Sequence, residues 1–163
     1  MSSSDRRTFL TLLAALPLAG CGFAPVYGTG GVGLALRNQV LVAAPDTRLG
    51  FELVARLEER LGRPNGAAYA LDYTITTSTT DLAITGANDI TRININGTVD
   101  FVLTELATDA QILADSVSSF AAYSTTGSSV ATAAAERDAE DRLMTILADR
   151  LVSRLLTASS RFS

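Results

Sequence analysis

The sequence contains no histidine and no lysine, and all 13 of its basic residues are arginines. Without an imidazole or an ε-amine, the chain cannot build a Ser-His-Asp triad, a Cys-His pair, a Ser-Lys dyad or a Schiff base, and it lacks the lysine of a P-loop. A pair of carboxylates is the remaining enzymatic route. No acidic pair in the sequence stands out from ordinary surface charge, so we predict a protein that is not an enzyme.

Cysteine is nearly absent as well, because Cys21 is the single cysteine among 163 residues. One thiol without any histidine cannot supply the ligands of a zinc site, so we expect no metal and no cofactor. The formal net charge is −4 and the arginines are scattered, which argues against a nucleic-acid partner. The hydrophobic fraction of 47% excludes a disordered chain.

The first 20 residues have the pattern of an export signal. Two arginines precede a charge-free run from Thr8 to Ala19, which is shorter than the roughly 20 apolar residues that a membrane-spanning helix needs. The sequence LAGC that ends at Cys21 resembles a bacterial lipobox. It implies cleavage before Cys21, diacylglycerol on the sulfur and an acyl chain such as palmitate on the amine. A free or buried thiol is the alternative.

The route of export stays open between two systems. DRRTFLT, from Asp5 to Thr11, resembles a twin-arginine motif, but an ordinary basic segment before a Sec signal has the same composition. We therefore interpret residues 1–20 as a signal peptide, the glycine-rich residues 21–33 as a lipidated tether and residues 34–163 as one α+β domain.

The predicted domain alternates between the periods of strand and helix. QVLVAAP, from Gln39 to Pro45, predicts a strand that a proline ends. Leucines at 49, 53, 57 and 61 predict an amphipathic helix that begins after Asp46 or Thr47 and stops at Gly62. Alternating polar and apolar residues then predict three antiparallel strands over 68–84, 90–106 and 111–123.

A second amphipathic helix is predicted from Val130 to Leu156, with Asp138 and Arg142 as an i,i+4 ion pair. Its apolar stripe consists of Ala139, Leu143, Leu147, Leu151 and Leu155, widened by Ile146. The order β-α-β-β-β-α predicts an α+β two-layer sandwich, with both helices on one face of a mostly antiparallel sheet. The other face carries a row of Asn, Thr, Asp and Arg side chains, rich in neutral polar residues, and should contact water or a partner.

The lipobox, the CGFAPVYG run that starts at Cys21, the order of elements and the final helix AERDAEDRL…LADRLVSRLL together resemble the LptE family of lipopolysaccharide-assembly lipoproteins, in its alphaproteobacterial form. The likeness covers essentially the whole chain. It implies an outer-membrane lipoprotein that forms a complex with the LptD β-barrel, within its lumen or facing the periplasm, supports the assembly of that barrel and helps deliver lipopolysaccharide to the outer leaflet.

The resemblance also implies contact between lipopolysaccharide and basic residues, since guanidinium groups pair well with phosphates. The nearest candidates in this sequence are Arg92, Arg137 and Arg142. A second hypothesis is a free-standing, periplasm-facing lipoprotein that binds a lipid or serves as an accessory of an envelope transport system. The location of the protein in the membranes separates the two hypotheses.

Overall fold

The structure, a computed structural model, describes residues 36–84, 90–125 and 128–158, without the side chains of 82–84, 90 and 91. The predicted signal peptide, the predicted tether and Cys21 lie outside the described residues. The described elements are β1 (Val40–Val42), α1 (Arg48–Leu61), β2 (Tyr69–Ile84), β3 (Ile90–Glu105), β4 (Ala110–Ser124) and α2 (Ser129–Ala158).

This order confirms the predicted α+β fold. β1 is shorter than predicted, and α2 continues two residues beyond the predicted end. The four strands form one mixed sheet in the order β1-β2-β3-β4. β2, β3 and β4 pair as an antiparallel meander, whereas β1 runs parallel to β2 because α1 carries the chain back between them.

The ends of α1 follow the predicted capping residues. Thr47 is the N-cap, and its Oγ1 accepts a hydrogen bond of 3.1 Å from the Gly50 amide. At the other end Gly62 has φ of +78°, and its amide donates to the Glu58 carbonyl at 2.8 Å. A larger residue at this position would be strained by the positive φ, and its Cβ would lie 1.9 Å from Oδ1 of Asn38 unless that side chain moved.

The core lies between the helices and the inner face of the sheet. β3 contributes Ile95, Val99, Phe101 and Leu103, the side chains that the alternating pattern placed inside. α2 passes so close to the strand that a Cβ on Gly97 would lie 3.0 Å from Leu143 and 3.0 Å from Leu147. Glycine in the middle of β3 therefore permits the helix to pack against the sheet.

One side of the α2 stripe differs from the prediction. Ile146 does not widen the buried stripe, because its side chain is 38% exposed. The residues that widen it are Met144, Ala148 and Val152, which are fully buried. α1 packs against α2 within the same core, and the buried surface of α2 is shifted accordingly.

Arginines of α1 join the two helices. Arg56 donates two hydrogen bonds, of 3.1 and 3.0 Å, to the two carboxylate oxygens of Asp149. Arg48, at the start of α1, binds Glu140 and also Asp141, the latter at 2.7 Å. Arg48 and the later Arg56 of α1 bind residues 140–141 and the later residue 149 of α2, so the two helices run parallel. We call this row of contacts the helix seam.

Candidate functional site

The outer face of the sheet, opposite the helices, consists mostly of neutral polar groups. None of the described side chains on this face is buried. Asn96 donates to Oγ1 of Thr80 across the β2–β3 pair at 3.2 Å. An aromatic ring, Phe120, is 63% exposed among them. The hydroxyl and amide side chains of the outer face include Thr74, Thr76, Ser78, Thr80, Asn94, Asn96, Thr98, Thr104, Ser116, Ser118 and Ser124, and its carboxylates include Asp72 and Asp100.

Arg92 lies on this outer face, near the end of the sheet where β4 finishes. It is opposite Ser124 in the pairing of β3 with β4, and it is exposed. The alternation of side chains directs Arg92 to the same side as Asn94 and Asn96. Arg92 therefore belongs to the polar outer face.

The other two predicted arginines belong to α2. Arg137 is exposed on the N-terminal part of the helix. Arg142 pairs with Oδ2 of Asp138 at 3.0 Å, the predicted i,i+4 contact, and its NH2 group donates to the Ala122 carbonyl at 3.4 Å. Arg142 therefore lies against the edge of β4, while Arg92 lies on the outer face. The three residues occupy one end of the domain but do not share one surface.

The availability of each arginine depends on its ion pairs. The helix seam engages Arg48, Arg56 and Arg60, and hydrogen bonds to Asp149 and Glu59 raise the pKa of Arg56. Hydrogen bonding to Asp141 likewise raises the pKa of Arg48. In the described part of the chain, the arginines without a carboxylate partner are Arg37, Arg92, Arg137 and Arg150.

A groove that the sequence did not predict runs between β4 and the C-terminal half of α2. Its volume is about 690 Å³, and its lining includes Arg150, Arg154, Ser116, Ser118 and Asp149. Arg150 donates to the Ser118 carbonyl, and Arg154 lies 3.7 Å from the Asp115 carboxylate. The spacing of arginines at 142, 150 and 154, in multiples of four, was the available sequence signal for a basic stripe along this edge.

These surfaces present groups that can bind polar ligands. Guanidinium groups beside hydroxyls can hold phosphates or sugar hydroxyls through directed hydrogen bonds. Acidic side chains of the described ranges nowhere gather into a group that could hold a metal ion. Nor does any helix among the described residues have the length and apolarity needed to cross a membrane.

Solved structures of bacterial lipoproteins share the fold. A protein described as a lipoprotein from Caulobacter crescentus is 20% identical with a TM-score of 0.68, and the match covers 82% of this chain and 98% of that one. Rare lipoprotein B from Shewanella oneidensis is 12% identical with a TM-score of 0.59, covering 76% of this chain and 96% of that one.

A third structure, lipoprotein B from Nitrosomonas europaea, is 11% identical with a TM-score of 0.57, over 74% of this chain and 83% of that one. No curated protein sequence matches the chain. The model of the LptE family, described as lipopolysaccharide-assembly, matches residues 37–155. Since this match covers the described helices and strands except for the last three residues of α2, the chain belongs to the LptE family.

Proposed function

We propose that this protein is a non-enzymatic lipoprotein of the outer membrane, anchored through Cys21, that forms a complex with the LptD β-barrel. In that complex it supports assembly of the barrel and delivery of lipopolysaccharide to the outer leaflet. The family match over residues 37–155 is the observation that carries the proposal. The absence of histidine and lysine from the sequence is consistent with a role in binding rather than catalysis.

The outer face of the sheet supports the choice of partner. The lumen of an outer-membrane barrel is lined by polar side chains. The threonine, serine and asparagine side chains of this face can form hydrogen bonds with such a wall, directly or through water. We therefore propose that the outer face contacts the barrel.

Co-purification tests the barrel complex. The tagged full chain is extracted in detergent from its own membranes, and the proteins recovered with it are identified by mass spectrometry. We expect LptD to be recovered, and Thr74→Arg on the outer face to lower its recovery severalfold. Ala107→Arg, in the exposed turn between β3 and β4, is the matched control and should leave the recovery of LptD unchanged. A chain that never recovers LptD contradicts the proposal.

Membrane fractionation separates the complex from the second hypothesis. A lipoprotein in complex with LptD fractionates with the outer membrane, together with LptD. A free-standing lipid-binding lipoprotein, or a transport accessory, fractionates independently of LptD. Inner-membrane location contradicts the proposed complex.

We further propose that Arg92 and Arg137 contact the phosphates of lipopolysaccharide. Neither has a carboxylate partner among the described residues, whereas Arg142 is held by Asp138. At fixed ionic strength, Arg92→Glu or Arg137→Glu should weaken the binding of phosphorylated lipid A severalfold without changing the circular dichroism spectrum. Arg63→Glu is the control, because the Arg63 side chain is 85% exposed and lies just after the C-terminal end of α1. Equal affinities for all four proteins would exclude these contacts.

A further inference from the structure

The groove between β4 and the C-terminal half of α2 is rich in hydrogen-bond donors. Arg150 and Arg154 both line it, one helical turn apart, where Cβ atoms are separated by about 6 Å. Arg150 forms no ion pair with any carboxylate that the structure describes. Arg154 is 61% exposed, and its Nε lies 3.7 Å from the Asp115 carboxylate. Two guanidinium groups at this separation can bind one dianion together.

The contact between Arg150 and β4 positions the guanidinium without using all of its donors. One terminal nitrogen, NH1, donates to the Ser118 carbonyl, and the side chain is exposed. A guanidinium carries five N–H donors in one plane. The backbone contact therefore holds the group at the wall of the groove while other N–H groups can reach a ligand.

The edge of β4 adds a backbone donor to the same wall. The Ser118 carbonyl points away from β3, because it accepts from Arg150, and the amide of an antiparallel residue points to the same side as its carbonyl. The Ser116 amide, two residues earlier, points the same way and donates to Oδ1 of Asp115 at 2.8 Å. This contact shows that an oxygen anion can lie against the β4 edge.

Hydroxyl groups of α2 supply acceptors on the opposite wall. Ser153 donates its hydroxyl proton to the Asp149 carbonyl at 2.9 Å, and Thr157 donates its own to the Ser153 carbonyl at 2.8 Å. Because each hydroxyl has only one proton, the two oxygens are left as acceptors for a ligand that carries hydroxyl groups of its own.

The size of the groove and its mixture of groups indicate the class of ligand. The volume of about 690 Å³ lies within the range of about 300–1,000 Å³ that is typical of small-molecule sites, and it is much larger than a phosphate ion. We propose that this groove binds a phosphorylated sugar, with the phosphate on Arg150 and Arg154 and sugar hydroxyls on Ser153 and Thr157.

This site is separate from Arg92 and Arg137. Arg137 and Arg150 are 13 positions apart on α2, which is about 20 Å along the helix, so one phosphate cannot bridge them. The groove arginines belong to α2, on the other side of the sheet from the outer face, so contact of the outer face with a barrel does not cover them. Lipopolysaccharide as the source of the sugar rests on the proposed function, whereas a free sugar phosphate has the same chemistry.

Protection of an introduced thiol from alkylation tests this site. Full-length Ser153→Cys, extracted in detergent, is treated with iodoacetamide, and modification is quantified by mass spectrometry of the peptide that contains position 153. The probe is the deacylated, bisphosphorylated glucosamine disaccharide of lipid A. It should slow alkylation about fivefold or more once its concentration exceeds the dissociation constant severalfold.

Thr145→Cys is the matched control position. Thr145 is exposed on the same helix and also donates to the carbonyl four residues earlier, but it does not line the groove. Its alkylation should not respond to the probe. No protection of Ser153→Cys, or equal protection of both variants, overturns the proposed site.

A second substitution tests the role of the arginines. In the Ser153→Cys background, Arg150→Gln and Arg154→Gln should each abolish most of the protection, with an unchanged circular dichroism spectrum. Arg63→Gln makes the same change in charge outside the groove and should preserve the protection. Protection that survives both groove substitutions in folded protein overturns the assignment.

The remaining probes identify the source of the sugar. Protection by the disaccharide but not by glucosamine 1-phosphate supports a groove for lipopolysaccharide. Equal protection by glucosamine 1-phosphate supports a groove for a free sugar phosphate, and equal protection by inorganic phosphate overturns recognition of a sugar. None of these results depends on LptD, so they are distinct from failure of the proposed complex.

Discussion

Gly97 and Thr98 are neighbours on β3, but they lie on opposite faces of the sheet. At Gly97 the absence of a side chain lets Leu143 and Leu147 of α2 contact the strand. At Thr98 the side chain is half-buried among other neutral polar groups of the outer face. The inner face determines whether the domain folds, and the outer face is free to serve a partner. Substitutions on the two faces should therefore have very different effects on stability.

The largest loss should come from a core leucine of the inner layer. Leu147→Ala removes a fully buried side chain and leaves a cavity, so we expect the free energy of unfolding to fall by about 2–5 kcal/mol. Urea denaturation followed by circular dichroism measures it. Ile146→Ala, one residue away and partly exposed, should cost clearly less. Equal costs would contradict the orientation of α2.

A side chain at the point where α2 meets β3 should have the next largest effect. Gly97→Val forces Leu143 and Leu147 away from the strand, and overpacking of this kind costs about 1–3 kcal/mol. The same denaturation experiment applies. Because Leu147→Ala removes one of the clashing groups, the double variant should lose less stability than the sum of the single variants. Strict additivity would show that the two residues are not in contact.

Alkaline pH should weaken the inner face through Tyr123. Burial raises the pKa of this phenol, which is 8% exposed, and the neighbouring Glu136 raises it further. Unfolded tyrosine ionises near pH 10, so above that pH the unfolded state binds fewer protons and stability falls. Below that range this phenol contributes no pH dependence.

The measurement is a series of urea titrations from pH 8 to 11. Tyr123→Phe should make the loss of stability with rising pH smaller. Lysine is absent from the sequence, so no amine side chain contributes to the titration. The same slope in both proteins would mean that Tyr123 ionises freely in the folded state.

The smallest change in stability is expected on the outer face. Thr98→Val keeps the shape of the side chain and removes a hydroxyl that faces away from the core, so the free energy of unfolding should change by no more than about 0.5 kcal/mol. Urea denaturation of Thr98→Val and Gly97→Val under the same conditions compares these two neighbouring positions directly. A loss as large as that of Gly97→Val would show that the outer face also supports the fold.

Sequence periodicity predicted most of the fold because each face of each element has a consistent environment. The alternation on β3 correctly separated Val99 and Phe101 from Thr98, and the capping residues correctly bounded α1. The side of α2 that α1 occupies was not predictable in this way. Ile146 and Met144 are both apolar, and only the position of the neighbouring helix decides which of them is buried.

The candidate site was less predictable than the fold. Arg92 follows from the alternation of its strand, and the Asp138–Arg142 pair follows from helical spacing. The contacts of Arg150 with β4 and of Arg56 with α2 join residues far apart in the sequence. The local sequence pattern gives no information on such distant pairs, so it could not show which arginines form ion pairs and which do not.

The helix seam has a consequence for the order in which the molecule forms. Arg56 and its partner Asp149 are 93 positions apart, a distance that synthesis at 5–20 residues per second covers in roughly 5 to 20 s. During that interval the segment that forms α1 has been synthesised without the helix against which it packs. The domain therefore completes its fold only when its last helix arrives, and a chain that ends before α2 leaves the first helix and the meander without their common partner.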